Sequence, residues 1–169
     1  MPGSSPEGKG LSMMWIEKNK IQTILDVGAG EGTYSNLIHK NDYPIKKIDA
    51  IEVWEPYIEE YNLRNKYKNV FNVDVRTWED WNYDMIILGD VLEHMTKEEA
   101  LTIWDKISKQ AKYAIISIPI IDCPQGHAHD NPYEEHIKED WTTQEVLESF
   151  SHIVDHCSYN VVGVFLARF

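Results

Sequence analysis

Ile21-Gln-Thr-Ile-Leu-Asp-Val-Gly28-Ala-Gly30-Glu-Gly32-Thr-Tyr34 is a short apolar run that breaks into a cluster of glycines. The run is too short for a helix and too apolar for an exposed strand, so it predicts a strand buried on both faces. Glycines at 28, 30 and 32 allow a tight turn and let a ligand approach without Cβ contacts, next to the N-terminus of a helix from Thr33 to His39. The spacing is G-x-G-x-G, with Thr33 where a dinucleotide-binding fingerprint would place glycine. Asp26 opens the loop. An anion there is unfavourable beside a pyrophosphate and welcome beside a cation.

Outward from this stretch the pattern alternates. Strands are predicted at residues 47–53, 69–74, 83–88 and 112–118, with helices at 56–67 and 97–110 between them. Such alternation implies right-handed crossovers and a mostly parallel sheet covered by helices on both faces. The chain ends differently. Residues 151–158 and 161–169 are strand-like runs around Tyr159-Asn160, too close for a crossover helix, and so predict an antiparallel hairpin. The fold expected is α/β, doubly wound, a seven-stranded sheet with an antiparallel strand from that hairpin. Residues 1–10 carry nothing to bury and are expected to form a flexible N-terminal arm or a lid, with one domain over residues 11–169. A short helix is expected at 11–19.

Composition narrows the function. The 169 residues carry 28 acidic and 16 basic side chains, a formal charge of −12, which argues against a nucleic-acid partner held by charge. Two cysteines, Cys123 and Cys157, make no disulfide framework, and no apolar run spans a bilayer. A cytoplasmic, reduced chain acting as monomer or homodimer is the expectation, without a membrane.

Four features in order carry a resemblance: Asp26-x-Gly28-x-Gly30-x-Gly32, Glu52 ending the second strand 20 positions after Gly32, Asp74 ending the third, and Tyr83-Asp-Met-Ile-Ile-Leu-Gly-Asp90-Val-Leu-Glu93-His94-Met95. Together they resemble class I S-adenosylmethionine-dependent methyltransferases over residues 21–169. The resemblance implies that Asp26, Gly28, Ala29, Gly30, Gly32 and Tyr34 surround the methionine and ribose part of the cofactor. Glu52 would take the ribose hydroxyls, with Val53 and Trp54 beside the adenine. Asp74 would take the adenine amino group, with Val75 against the ring, and Asp90 would stand where methyl and acceptor meet.

Candidate proton acceptors are Asp90, Glu93, His94, His127, His129 and His136, of which Asp90, His94 and His136 are the leading catalytic candidates. On a helical turn Asp90, Glu93 and His94 share one face, and with His136 they form a candidate site for a divalent metal such as Mg²⁺. The D-x-x-E-H segment with the later His136-x-x-x-x-Trp141-Thr is similar to metal-dependent enzymes that methylate a terminal ribose 2′-hydroxyl of small RNA. Methyltransferases of ubiquinone biosynthesis are similar in the first segment, and Asp90 stands where those families usually have Glu. Residues 121–150 hold eight acidic side chains and one base, Lys138, a rim that favours a cationic or neutral small-molecule acceptor over RNA. Three functions follow as alternatives: methyl transfer to O or N of a small molecule, metal-assisted 2′-O-methylation of RNA ends, and an idle cofactor-binding or scaffolding domain.

Overall fold

The computed structural model describes residues 5–128 and 130–169. Seven strands form one sheet: β1 (Thr23–Val27), β2 (Lys47–Ile51), β3 (Val70–Phe71), β4 (Met85–Gly89), β5 (Tyr113–Pro119), β6 (Ile153–Ser158) and β7 (Val162–Arg168). Their order is β3-β2-β1-β4-β5-β7-β6. The first five strands run parallel, while β7 pairs antiparallel with both β5 and β6. The expected doubly wound sheet with an antiparallel C-terminal hairpin is what the chain forms.

Alternation along the strands divides the core in two. Leu25, Val27, Ile86 and Leu88 face one layer, which contains α5 (Lys97–Ser108) and α6 (Thr143–Ser149) with Trp104, Trp141 and Phe150. Ile24, Met85, Ile87 and Ile115 face the other, built from α1 (Lys9–Lys18), α2 (Thr33–Lys40), α3 (Glu55–Glu60) and α4 (Leu63–Lys66). Asp26 follows Ile24 by two residues, so the strand period directs its carboxylate to this second layer. The long helix α5 begins at a capping box, in which the Thr96 hydroxyl accepts from the Glu99 amide and Glu99 accepts from the Thr96 amide.

Three local expectations change. The helix expected at 56–67 is two helices, because Asn62 takes a left-handed φ of 53° and breaks the ladder between α3 and α4. The strand expected at 69–74 shrinks to Val70–Phe71, since the Asn72 amide group instead donates to the carbonyls of Glu52 and Val53. The segment expected as a flexible arm is docked from residue 5 onward, and α1 begins inside it at Lys9. The Glu7 carboxylate accepts from the amides of Val161 and Val162 at 2.9 and 3.1 Å, and Gly8 lies so close to Val164 that a Cβ there would meet its Cγ2 at 2.1 Å.

Candidate active site

After β1 the chain goes out to β2 and β3, then returns to β4 on the other side of β1. This reversal leaves a crevice at the carboxyl ends of β1 and β4, where open α/β sheets hold ligands. A cavity of about 470 Å³ occupies it, reached from the glycine loop, the ends of β2 and β4, and the loop after β5.

The glycine loop is bent to leave that space. Gly28, Gly30 and Gly32 all take positive φ, at 66°, 50° and 80°. A Cβ on Gly28 would come within 2.7 Å of Val91 Cγ2, so the turn after β1 and the turn after β4 touch across the crevice. Glu52 fixes the other wall. Its Oε2 accepts from the Gly30 amide and its Oε1 from the Trp54 amide, both at 2.9 Å. Burial pushes the Glu52 carboxyl above its ordinary value, the two amides pull it back, and Glu134 adds repulsion.

Of the residues the resemblance assigns to the cofactor, Asp26, Gly28, Ala29, Gly30, Tyr34, Glu52, Val53, Asp74, Val75 and Asp90 line the cavity. Gly32 and Trp54 do not. Gly32 is spent on capping α2, and Trp54 pairs its ring with Tyr133 at 6.2 Å between centroids. Asp74 lines the wall with both carboxylate oxygens held by the Arg76 guanidinium, which also reaches Glu99. Asp26 is buried, accepts from the Tyr67 hydroxyl at 2.5 Å, and titrates near 7 because burial outweighs that bond and the attraction of Lys9.

Asp90 sits in a left-handed conformation, φ 57°, which Asp tolerates better than most residues, and its amide donates to the Ser117 carbonyl. The next residues, Leu92–His94, form a single 3-10 turn. This turn brings ligand atoms of Glu93, His94 and His136 within 4.8 Å of one another. Asp90 is not among these three: after its left-handed turn the 90, 93, 94 face of a regular helix does not form. Glu93 is buried and, among the described residues, its Oε2 has no hydrogen-bond partner; burial and then Asp90 raise its carboxyl well above the ordinary range.

The two imidazoles are oriented alike. His94 Nδ1 lies 3.1 Å from the Glu135 carbonyl and His136 Nδ1 lies 2.5 Å from the Cys123 carbonyl. A carbonyl only accepts, so each Nδ1 carries a proton, and in the neutral ring Nε2 is left with the lone pair, the arrangement that second-shell bonds impose on metal-ligating histidines. Burial lowers the His94 pKa and keeps that ring neutral. His127 is exposed and stands 3.3 Å from Glu135, away from the cavity lining. His129 lies outside the described residues.

Several lining residues carry no motif. Ser5 and Pro6 come from the N-terminal segment, Tyr57 from α3, and Cys123, Gln125, Asn131, Tyr133 and Glu134 from the loop after β5. Tyr57 is 3% exposed, and its hydroxyl faces Asn131 and Glu134 across the cavity wall. Their sequence signal is weak, because a loop's contribution is set by where tertiary closure puts it. Tyr57, one residue after Pro56 at the first turn of a helix that follows an acid-ended strand, was the one position that pattern could have flagged.

No protein-family model and no curated protein matches the chain. Solved structures do. The methyltransferase domain of bacterial CtHen1 superposes with a TM-score of 0.72 and 16% identity, covering 95% of this chain and 97% of that one. Burkholderia thailandensis 1,6-didemethyltoxoflavin-N1-methyltransferase, with 1,6-didemethyltoxoflavin and S-adenosylhomocysteine bound, superposes with a TM-score of 0.70 and 18% identity over 94% of this chain and 76% of its own. The N-terminal domain of EvdMO1 with SAH bound gives 0.67 and 13% over 98% and 82%. Topology, crevice and superposition agree: the chain has the fold of the class I S-adenosylmethionine-dependent methyltransferases.

Proposed function

We propose that the chain transfers a methyl group from S-adenosylmethionine to an oxygen or nitrogen of a small-molecule acceptor. The observation that carries this reading is Glu52, buried at the end of β2 with one oxygen fixed by the glycine loop and the other by the Trp54 amide. Each oxygen keeps a lone pair for a further donor, which suits a ribose diol.

When bound, S-adenosylmethionine supplies a methyl group on a positively charged sulfur. The acceptor's lone pair forms the new bond to carbon as the carbon–sulfur bond breaks and sulfur keeps its pair. What the chain contributes is placement, for which orientation alone is worth on the order of 7–11 kcal/mol. Asp26 would hold the cofactor's amino group, and Asp90, at the switch between β1 and β4, would face the methyl group. Asp90 and the Nε2 atoms of His94 and His136 are the groups available to take the acceptor's proton. In the loop from residue 121 to 140, acids outnumber Lys138, which favours a neutral or cationic acceptor.

Glu93, His94 and His136 would also hold a divalent ion, which would supply Lewis-acid polarisation of an acceptor oxygen. Two imidazoles and one carboxylate suit Mn²⁺, Fe²⁺, Co²⁺ or Zn²⁺ better than Mg²⁺. This cluster favours the second reading, methyl transfer to the 2′-hydroxyl of an RNA end; the superposition on CtHen1 is a likeness of fold alone.

Among the described residues no helix is long and apolar enough to cross a membrane. The free Cys123 and Cys157 fit the cytoplasmic setting we propose. Calorimetric titration with S-adenosylmethionine and S-adenosylhomocysteine tests the central reading. Micromolar binding by the wild type, weakened at least tenfold in Asp26→Ala and Glu52→Ala, is expected; absence of binding overturns it in favour of an idle domain.

A further inference from the structure

Five charged side chains among the described residues are buried: Asp26, Asp49, Glu52, Glu93 and Lys9. Lys9 is the single base, and it comes from the segment with the least sequence pattern. Residues 5–9 form a strap beside the crevice and lead into α1. The Ser5 amide donates to Asp90 Oδ2 at 3.2 Å, Ser5 and Pro6 line the cavity, Glu7 is tied to Val161 and Val162, and Gly8 sits against Val164. Lys9 is 6% exposed. Its ammonium lies 4.6 Å from the centroid of the Tyr34 ring and donates to the Tyr34 hydroxyl at 3.3 Å.

The carboxylates that act on this ammonium are Asp90, Asp26 and Glu93, from the turn after β4, from β1 and from the 3-10 turn. Two of these acids are the ones placed above at the methyl group and at the cofactor's amino group. A buried ammonium is costly unless acids surround it, and these acids are themselves costly without a countercharge. Lys9 is therefore part of the electrostatics of the site.

We propose that Lys9 sets the preference of the site between the charged cofactor and its neutral product. The inference rests on the cofactor reading above. Cofactor and product share adenine, ribose, amino and carboxylate groups and differ at sulfur, which is a cation in one and a neutral thioether in the other. Asp90 and Asp26 attract the sulfonium and have no such hold on the thioether. A fixed ammonium beside them offsets part of that attraction. Because the charge on sulfur disappears as the methyl group leaves, stabilisation confined to the sulfonium deepens the ground state and raises the barrier. Lys9 limits that deepening.

The test is the ratio of the two dissociation constants, in which every shared contact cancels. In Lys9→Met, the preference for S-adenosylmethionine over S-adenosylhomocysteine is expected to rise about tenfold, the scale of one unit charge roughly 10 Å away at an effective dielectric near 20. Lys9→Arg is expected to keep the wild-type ratio. A Lys9→Met protein in which both ligands weaken or tighten equally overturns the proposal and leaves Lys9 a structural residue. Should Lys9→Met fail to fold, wild type is titrated with the analogue that carries a protonated amine in place of the methylsulfonium. Binding within about fivefold of the product supports the proposal, and a preference beyond that overturns it. If wild type binds neither cofactor nor product, the cofactor reading itself falls. Binding of both with an unmoved ratio removes the role of Lys9 alone.

Discussion

The main-chain carbonyl of Glu93 accepts from the amides of both Ile137 and Lys138, at 2.8 and 3.0 Å. The loop after β5 is thereby stitched to the turn after β4, and His136, adjacent to the stitch, is delivered to Glu93 and His94. Divalent metal should consequently stabilise the fold. Mn²⁺ or Zn²⁺ is expected to raise Tm measurably, an effect of about 2.7 kcal/mol when metal is at a hundred times its Kd. Glu93→Gln and His136→Ala should each abolish the metal-dependent part of Tm, while Asp90→Asn should retain most of it. A Tm indifferent to metal in wild type removes the site.

Gly28 tests the touching of the two turns. Its φ of 66° is strained for any side chain, and an added Cβ meets Val91 at 2.7 Å in a backbone-to-core contact. Gly28→Ala is expected to cost about 1–3 kcal/mol in chemical denaturation. Cofactor binding should weaken with it, because relief requires the glycine loop and the turn carrying Asp90 to separate. Unchanged stability would show that the turn repacks freely.

Much of this was legible in advance, and the reasons are physical. Strand–helix alternation reports a two-layered core directly, since Leu25, Val27, Ile86 and Leu88 must face one helix layer while Ile24, Met85 and Ile87 face the other. The glycine loop, Glu52 and Asp90 were legible because they end strands, and strand ends fix position. The strap was not. Residues 1–10 show no period, and Lys9 enters the core only because Glu7 and Gly8 fasten the segment to the start of β7, a pairing between opposite ends of the chain. Tyr57 was hidden for a similar reason. Asp90 takes a left-handed φ and is not grouped with Glu93, His94 and His136, a local turn that residue spacing alone does not report.

Asp26 predicts a pH dependence with a definite sign. Its carboxyl titrates near 7 in the fold, raised chiefly by burial, against 3.8 ordinarily. Between those values the folded state binds the extra proton, so this residue's contribution to stability falls as pH rises from about 4 to 7 and is level above. Asp26→Asn should therefore flatten the profile of Tm against pH in that window and be more stable than wild type at pH 8. The same variant is expected to bind S-adenosylmethionine at least tenfold more weakly, because an amide does not attract the cofactor's amino group as a carboxylate does. A variant with the wild-type pH profile would place the titration elsewhere.

The choice between a small-molecule acceptor and an RNA end turns on charge near the cavity. Asp122, Glu134, Glu135, Glu139 and Asp140 accompany His136 in the loop after β5, and Lys138, its one base, is paired with Asp140 and Glu145. A polyphosphate approaching this rim meets repulsion at long range and finds few cations whose counterions it could release. Fluorescence anisotropy with a labelled RNA oligonucleotide should show no saturable binding at 200 mM salt and only weak binding at 50 mM, with S-adenosylhomocysteine and Mn²⁺ present. Tight binding that weakens steeply between those two salt concentrations would mean that a cationic track exists despite the net charge of −12. It would transfer the argument to the 2′-hydroxyl reading, in which the Glu93–His94–His136 cluster, and not the acidic rim, selects the acceptor.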